Sequence, residues 1–223
     1  LAGPMPLVVH ATAEGANVDP RSVALDGDDP AAEFSVSGQA ADGTVHQLHF
    51  SITTPEGKPL AEVAAEFRDL PVPPEGDLAL ATAGASVAAD SSYSGYYPAV
   101  TIDGVWDPRG LHWTEAAWAS ADRAGEEGHW LEVRLPEAVP LSQAVVYWAI
   151  DKDQIMSSRS YDVQVWVSNA WQTVAEVRDA PLSTVSRHEW PPLNSDRLRL
   201  HQLPGGGPAG RPDIMWIAEV CLY

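Results

Sequence analysis

Between Trp130 and Tyr223 the chain is a succession of short runs in which β-branched and aromatic residues alternate with polar ones. The runs are Trp130-Leu-Glu-Val-Arg-Leu135, residues 144–150, Tyr161-Asp-Val-Gln-Val-Trp-Val-Ser168, residues 171–177, Arg197-Leu-Arg-Leu-His201 and residues 214–223. Alternation with period two buries one face of a strand, and clusters of Gly, Pro, Asn and Asp separate the runs. Asn169-Ala170 reads as a tight hairpin connection. Residues 111–123 hold several alanines but no clean apolar stripe, so no helix is expected there. The pattern predicts an antiparallel sandwich or jelly roll.

The first part of the chain differs in composition. All nine tryptophans lie between Trp106 and Trp216, and residues 1–77 carry three basic and thirteen acidic side chains. Leu7-Val-Val-His-Ala-Thr12, Glu33-Phe-Ser-Val-Ser37 and residues 45–53 alternate as strands do, with turns at Asp26-Gly-Asp-Asp-Pro30, Asp42-Gly43 and Pro55-Glu-Gly57. Residues 60–70 suit a short helix or another strand. Pro71-Val-Pro-Pro-Glu-Gly76 can be neither helix nor central strand. The expected organisation is all-β: a small immunoglobulin-like β-sandwich over residues 1–70, a linker over 71–77, and a jelly-roll sandwich over 78–223.

Composition narrows the function. A net charge of −18 repels polyanions, so nucleic acid and anionic membranes are poor partners. No apolar run is long enough to span a bilayer. Leu1-Ala-Gly-Pro-Met-Pro6 lacks a signal pattern, so the chain reads as a piece of a longer or processed protein whose export signal lies outside it. The single cysteine, Cys221, sits in an apolar run and reads as a small buried hydrophobe. The lack of disulfides suits a bacterial protein, and the expected location is secreted, at the cell surface or periplasmic.

Catalytic signatures are missing. There is no nucleophile elbow, phosphate loop, dinucleotide fingerprint or His-Glu-x-x-His. Gly205-Gly-Gly207 leads into Pro208 rather than a helix and reads as a flexible loop. Glu126-Glu127 and Asp151/Asp153 read as solvated carboxylates, and His10, His46 and His49 as scattered strand residues. The chain is not expected to be an enzyme.

One constellation points to a ligand. A pyranose presents an apolar C–H face that matches an aromatic ring, and polar side chains then fix its hydroxyls. Tyr93, Tyr96 and Tyr97 fall in one loop, and Trp106, Asp107, Arg109, His112 and Trp113 in the next. Trp106 and Trp113 suit a sugar platform and loop packing equally. Trp118, Trp130, Trp148 and Trp166 follow strand rhythm or begin strands and are expected in the core.

Ala88-Ala-Asp-Ser-Ser-Tyr93, Tyr97-Pro-Ala-Val-x-Ile-Asp-Gly104, Trp118-Ala-Ser120, His129–Leu135, Val146-Tyr-Trp148, Tyr161–Ser168, Arg197-Leu-Arg-Leu200 and Ile217-Ala-Glu-Val-x-Leu-Tyr223 follow one another in order. Together they resemble the discoidin or coagulation factor 5/8 C-type domain. The resemblance implies a galactose-binding-like jelly roll, similar to bacterial family 32 carbohydrate-binding modules. It implies a non-catalytic ancillary module that binds a poly- or oligosaccharide glycan, attached to the catalytic domain of a glycan-degrading enzyme. The alternative is a spacer or protein-interaction module without glycan affinity. The resemblance also implies a structural calcium ion held by Asp103 and Glu219 with the carbonyls of Val105 and Ala218, although Pro108 stands where many members place a ligating Thr. Where galactose-binding members carry Arg and Asn, this chain has Ile150-Asp151-Lys152 and Met156-Ser157-Ser158. The ligand candidates are therefore Tyr96, Tyr97, Trp106, His112, Trp113, Asp151, Lys152 and Arg211.

Overall fold

The computed structural model describes residues 6–25, 31–38, 45–68, 70–108, 110–122, 127–152 and 154–223. The chain divides into two compact units, Leu1–Pro71 and Val72–Tyr223.

The first unit contains β1 (Leu7–Ala13), β2 (Ala16–Asp19), β3 (Ser22–Leu25), β4 (Ser35–Gly38), β5 (Val45–Thr53) and β6 (Pro59–Arg68). Four strands form an antiparallel sheet in the order β3-β1-β5-β6, and β2 and β4 form a separate ribbon. Residues 59–68 are a strand because they pair along the length of β5. The alternation in β1 and β5 buries Val9, Ala11 and Leu48. The three histidines do not converge. His10 Nε2 meets Thr53 Oγ1 at 3.3 Å, His46 Nδ1 meets the Glu14 carbonyl at 3.3 Å, and His49 stands opposite Thr12. The turns expected at 26–30 and 42–43 lie outside the described residues.

The second unit contains β7 (Ser86–Ala89), α1 (Trp113–Ala116, a single turn), β8 (Trp118–Ala119), β9 (His129–Trp148), β10 (Ile150–Asp151), β11 (Gln154–Ile155), β12 (Tyr161–Val167), β13 (Ala170–Val177), β14 (Val185–Gln202) and β15 (Trp216–Leu222). The sequence suggests separate strands at 130–135 and 144–150, but β9 runs through both. Its first half pairs with β7 and the end of β14; its second half pairs with the start of β14 and with β15. The two long strands therefore serve both layers of a jelly roll. The ladder between them slips between Glu189 and Leu193, where Pro191 and Pro192 sit. A proline has no N–H to donate, so it is tolerated where the ladder is already broken.

The core lies between the layers. Trp118, Trp148, Leu131, Val133, Leu198, Leu200 and Ile217 are almost fully buried. The aromatic polar tips are satisfied: Trp148 Nε1 donates to Ser186 Oγ at 2.9 Å, and the Tyr161 hydroxyl pairs with His188 Nε2 at 2.9 Å.

Further expectations are corrected, among them the absence of a helix over residues 111–123, where α1 forms a single turn. Trp130 and Trp166 are only half-buried, because Leu131 and Val133, and Val163 and Val165, take the inward positions of their strands. Trp166 instead meets Trp171 at 5.1 Å, with the Arg197 guanidinium 5.3 Å from its ring. The hairpin turn is Ser168-Asn169, one residue earlier than expected, with both residues at positive φ (53° and 61°), as a type I′ turn requires. Gly206 and Gly207 are buried rather than loose, since the Gly206 carbonyl accepts the N–H groups of Arg159 and Ser160. The proline-rich segment from Val72 onward belongs to the second unit: the Tyr223 hydroxyl donates to the Pro74 carbonyl, and Leu78 N–H to the Leu222 carbonyl, each at 2.9 Å.

Candidate functional site

The loop after β7 is set from beneath by buried groups. Asp90 Oδ1 accepts the Trp130 N–H at 2.9 Å, and its Oδ2 meets Nδ1 of the buried His129 at 2.8 Å. His129 Nε2 meets the Asp213 carbonyl at 3.0 Å, so the pair also ties down the segment before β15. Trp118 Nε1 donates to the Ser91 carbonyl and Ser92 Oγ, and Tyr93 N–H to the Ala119 carbonyl. Burial opposes both charges of the Asp90–His129 pair. For Asp90, the hydrogen bonds from His129, Trp130 and Ser91 outweigh it and hold the carboxyl below its ordinary range. For His129, the hydrogen bond and charge of Asp90 outweigh it and hold the imidazole above its ordinary value.

The raised His129 stabilises the fold fully below its unfolded pKa, and that contribution is lost as pH rises through the folded value. The depressed Asp90 contributes above its unfolded pKa and is lost as pH falls through the folded value. The pair therefore contributes most between about pH 4 and about pH 6.5. Melting of the wild-type chain and Asp90→Asn across pH 3–9 is expected to show its largest difference in that window. A constant difference would remove the pair from the pH dependence.

On this base an aromatic rim assembles. Tyr96 stands 4.8 Å from Trp113 at 43°, 5.5 Å from Trp216 edge-on, and 6.0 Å from Tyr93. Trp113 is 47% exposed and continues to His112 at 5.2 Å. Gly95 makes this approach possible, since a Cβ there would lie 2.7 Å from the Trp113 ring. The Arg211 guanidinium lies 5.8 Å from the Trp216 ring. A recess of about 200 Å³ opens between Tyr93, Tyr96, Asp151, Arg211, Ile214 and Trp216. A second, of about 450 Å³, shares Asp151 and Arg211 and extends to Gln154, Leu182 and Gly210. Burial first, and the Asp151 charge second, push the Tyr96 hydroxyl above its ordinary value. Among the described residues, neither Asp151 nor Arg211 has an ion pair, and the buried Trp216 Nε1 has no acceptor.

A second concentration of polar groups lies along β15. Glu219 is fully buried; its Oε1 accepts the Gly104 N–H at 3.1 Å, and among the described residues its Oε2 has no hydrogen-bond partner. Asp103 Oδ1 accepts the Val105 N–H at 2.8 Å. Burial, with the charges of Asp103 and Asp77 adding to it, pushes the Glu219 carboxyl up to about 9. Burial also raises Asp103.

Comparison with known proteins identifies the fold. Residues 101–200 match the F5/F8 type C family described as "NedA-like, galactose-binding domain". The second unit has a discoidin-like fold. Among solved structures, the discoidin-like unit resembles chitosan-binding module 1 of a chitosanase/glucanase from Paenibacillus sp. IK-5. That likeness has 19% identity, covers 67% of this chain and 99% of that one, and has a TM-score of 0.51. It also resembles the family 32 carbohydrate-binding module of NanJ from C. perfringens, solved with galactose, at 15% identity over 62% of this chain and 92% of that one, with a TM-score of 0.50. The lectin domain of lectinolysin, solved with Lewis B antigen, matches at 15% identity over 67% and 96%, with a TM-score of 0.52. No curated protein sequence matches the chain.

Of the ligand candidates named from sequence, the discoidin-like unit brings Tyr96, Trp113, Asp151 and Arg211 together, with His112 beside Trp113. Tyr97 is 65% exposed and has no aromatic partner among those described. Trp106 is half-buried, 5.8 Å from Tyr147, borders the recess that contains Glu219, and is not among the residues lining the two rim recesses. Lys152 is exposed at positive φ in the β10–β11 turn and lines neither rim recess. Trp216 escaped the sequence reading because it opens a strand; Arg211, five residues earlier, was the only local hint. Arg109, Glu126 and Asp153 lie outside the described residues. At the turn of Asp103, the unpartnered Glu219 oxygen and the neighbouring carboxylate are hard oxygen donors and fit a divalent cation such as calcium.

Proposed function

We propose that the discoidin-like unit is a glycan-binding module, an ancillary part of a larger secreted bacterial enzyme that degrades glycans. The carrying observation is the rim of Tyr96, Trp113 and Trp216 beside Asp151 and Arg211, which have no ion pair among the described residues. The exposed Trp113 face offers a platform for the apolar side of a sugar ring, and Asp151 and Arg211 supply an acceptor and donors for its hydroxyls. Solved proteins of similar fold that bind galactose, chitotriose and Lewis B antigen support this reading. A net charge of −18 favours neutral or cationic glycans over anionic ones. A shallow site of this kind holds one or two rings, with a dissociation constant on the order of 0.1–1 mM. An array carrying galactosides, fucosylated glycans, chitooligosaccharides and anionic glycans tests this. Retention of a neutral or cationic glycan is expected. Retention of none would favour a spacer or protein-interaction module instead.

Calcium is the proposed structural ion, held by the carboxylates of Asp103 and Glu219 with the carbonyls of Val105 and Ala218. A ligand bound only by the folded state raises the melting temperature by mass action. The wild-type chain is expected to melt higher in calcium than in chelator, and Asp103→Ala to remove the difference. Equal melting of the wild type in both conditions would contradict the site.

A further inference from the structure

Asp77 lies in the segment that the sequence presents as a linker, yet it is fastened to the last strand. Its Oδ1 accepts the N–H groups of Ala79 at 2.8 Å and of Leu222 at 2.9 Å. That brings its carboxylate to the face of β15 from which Glu219 and Cys221 project. One ligand atom from each of Asp77, Glu219 and Cys221 lies within 4.8 Å of the other two. Glu219 and Cys221 are 0% and 1% exposed. The cluster borders a recess of about 310 Å³ beneath residues 72–76. The Glu219 Oε2, which the calcium turn would also use, has no hydrogen-bond partner among the described residues, and a fully buried carboxylate oxygen with no donor is costly unless a cation takes it.

We propose that Asp77, Glu219 and Cys221 form a binding site for a borderline-soft divalent cation, of which Zn²⁺ is the best match. Two carboxylates and a thiolate are three protein ligands of the kind zinc takes, with a fourth position left for water or a backbone oxygen. A thiolate is a poor ligand for calcium, which takes oxygen, so Cys221 is the residue that separates the two ions. Burial pushes the Cys221 thiol up, with Asp77 and Glu219 adding to the effect. The thiol proton leaves to solvent as the metal–sulfur bond forms, so binding releases protons. The ion would cross-link the segment around Asp77 to β15. This site does not depend on the glycan reading, and it competes with the calcium turn for the free oxygen of Glu219.

Co²⁺ added to the metal-free full chain is the direct probe. A thiolate-to-cobalt charge-transfer absorption is expected in the near ultraviolet and is expected to disappear when Zn²⁺ displaces the cobalt. Cys221→Ser, a near-isosteric change checked for folding by its melt, is expected to lose the absorption. Asp77→Asn is expected to weaken Zn²⁺ by at least about tenfold. Asp103→Ala is expected to keep the cobalt absorption while losing the calcium-dependent rise in melting temperature, so the two ion sites fail separately. No charge-transfer absorption at saturating cobalt, or one that survives Cys221→Ser, overturns the proposal.

Discussion

Replacing Trp118 with alanine is expected to destabilise the second unit by about 3–5 kcal/mol, a fall in melting temperature on the order of 10 °C. The indole is fully buried in the core between the layers. Its Nε1 also holds the Ser91 carbonyl and Ser92 Oγ, so the change removes the support of the aromatic loop as well as its own packing. Trp113→Ala is the control. That ring is half exposed and rests on Gly95 and Tyr96, so its loss is expected to cost about 1 kcal/mol or less. Chemical denaturation of both variants checks the contrast. Equal losses would mean that Trp113 is a packing residue and not a platform.

Gly206→Ala is expected to cost about 1–3 kcal/mol, at the upper end of that range. A Cβ at Gly206 would stand 2.2 Å from the Ser160 carbonyl oxygen and 2.8 Å from that of Leu203. Those obstacles are backbone, and the Gly206 carbonyl and N–H are both engaged with the same segments, so neither side can give way cheaply. Gly210→Ala, where a Cβ would meet nothing within 4 Å, is expected to be neutral. Denaturation of the two variants side by side measures the difference. A neutral Gly206→Ala would restore the flexible-loop reading of this run.

Local alternation made the all-β class legible in the sequence, because a half-buried strand must alternate. The same rule misplaced Trp166. Rhythm shows that a residue lies in a strand, but the inward face is set by which set of alternates is more apolar, here Val163 and Val165. The long strands β9 and β14 are only partly legible: the alternation shows residues 130–135 and 144–150 of the first and 197–201 of the second, and prolines interrupt the rest. Only the pairing partners, distant in sequence, show that the chain continues through them. Trp106 and Trp113 have similar local contexts, yet Trp113 stands beside Tyr96 at the rim and Trp106 beside Tyr147 away from it, and neither neighbour's position is visible within a few residues of sequence. Asp77 is the extreme case: its partner Leu222 is 145 residues away, and nothing in the proline-rich segment announces it.

The rim's role is tested most directly by calorimetric titration of the full chain with whichever glycan an array retains. Wild type, Trp113→Ala and Arg211→Ala are compared, each first shown to melt cooperatively. The account predicts a dissociation constant on the order of 0.1–1 mM for the wild type, corresponding to about −4 to −5.5 kcal/mol. It predicts no measurable heat of binding for either variant, with folding intact. Unchanged affinity in both variants would contradict it and place the ligand away from the Tyr96, Trp113 and Trp216 rim.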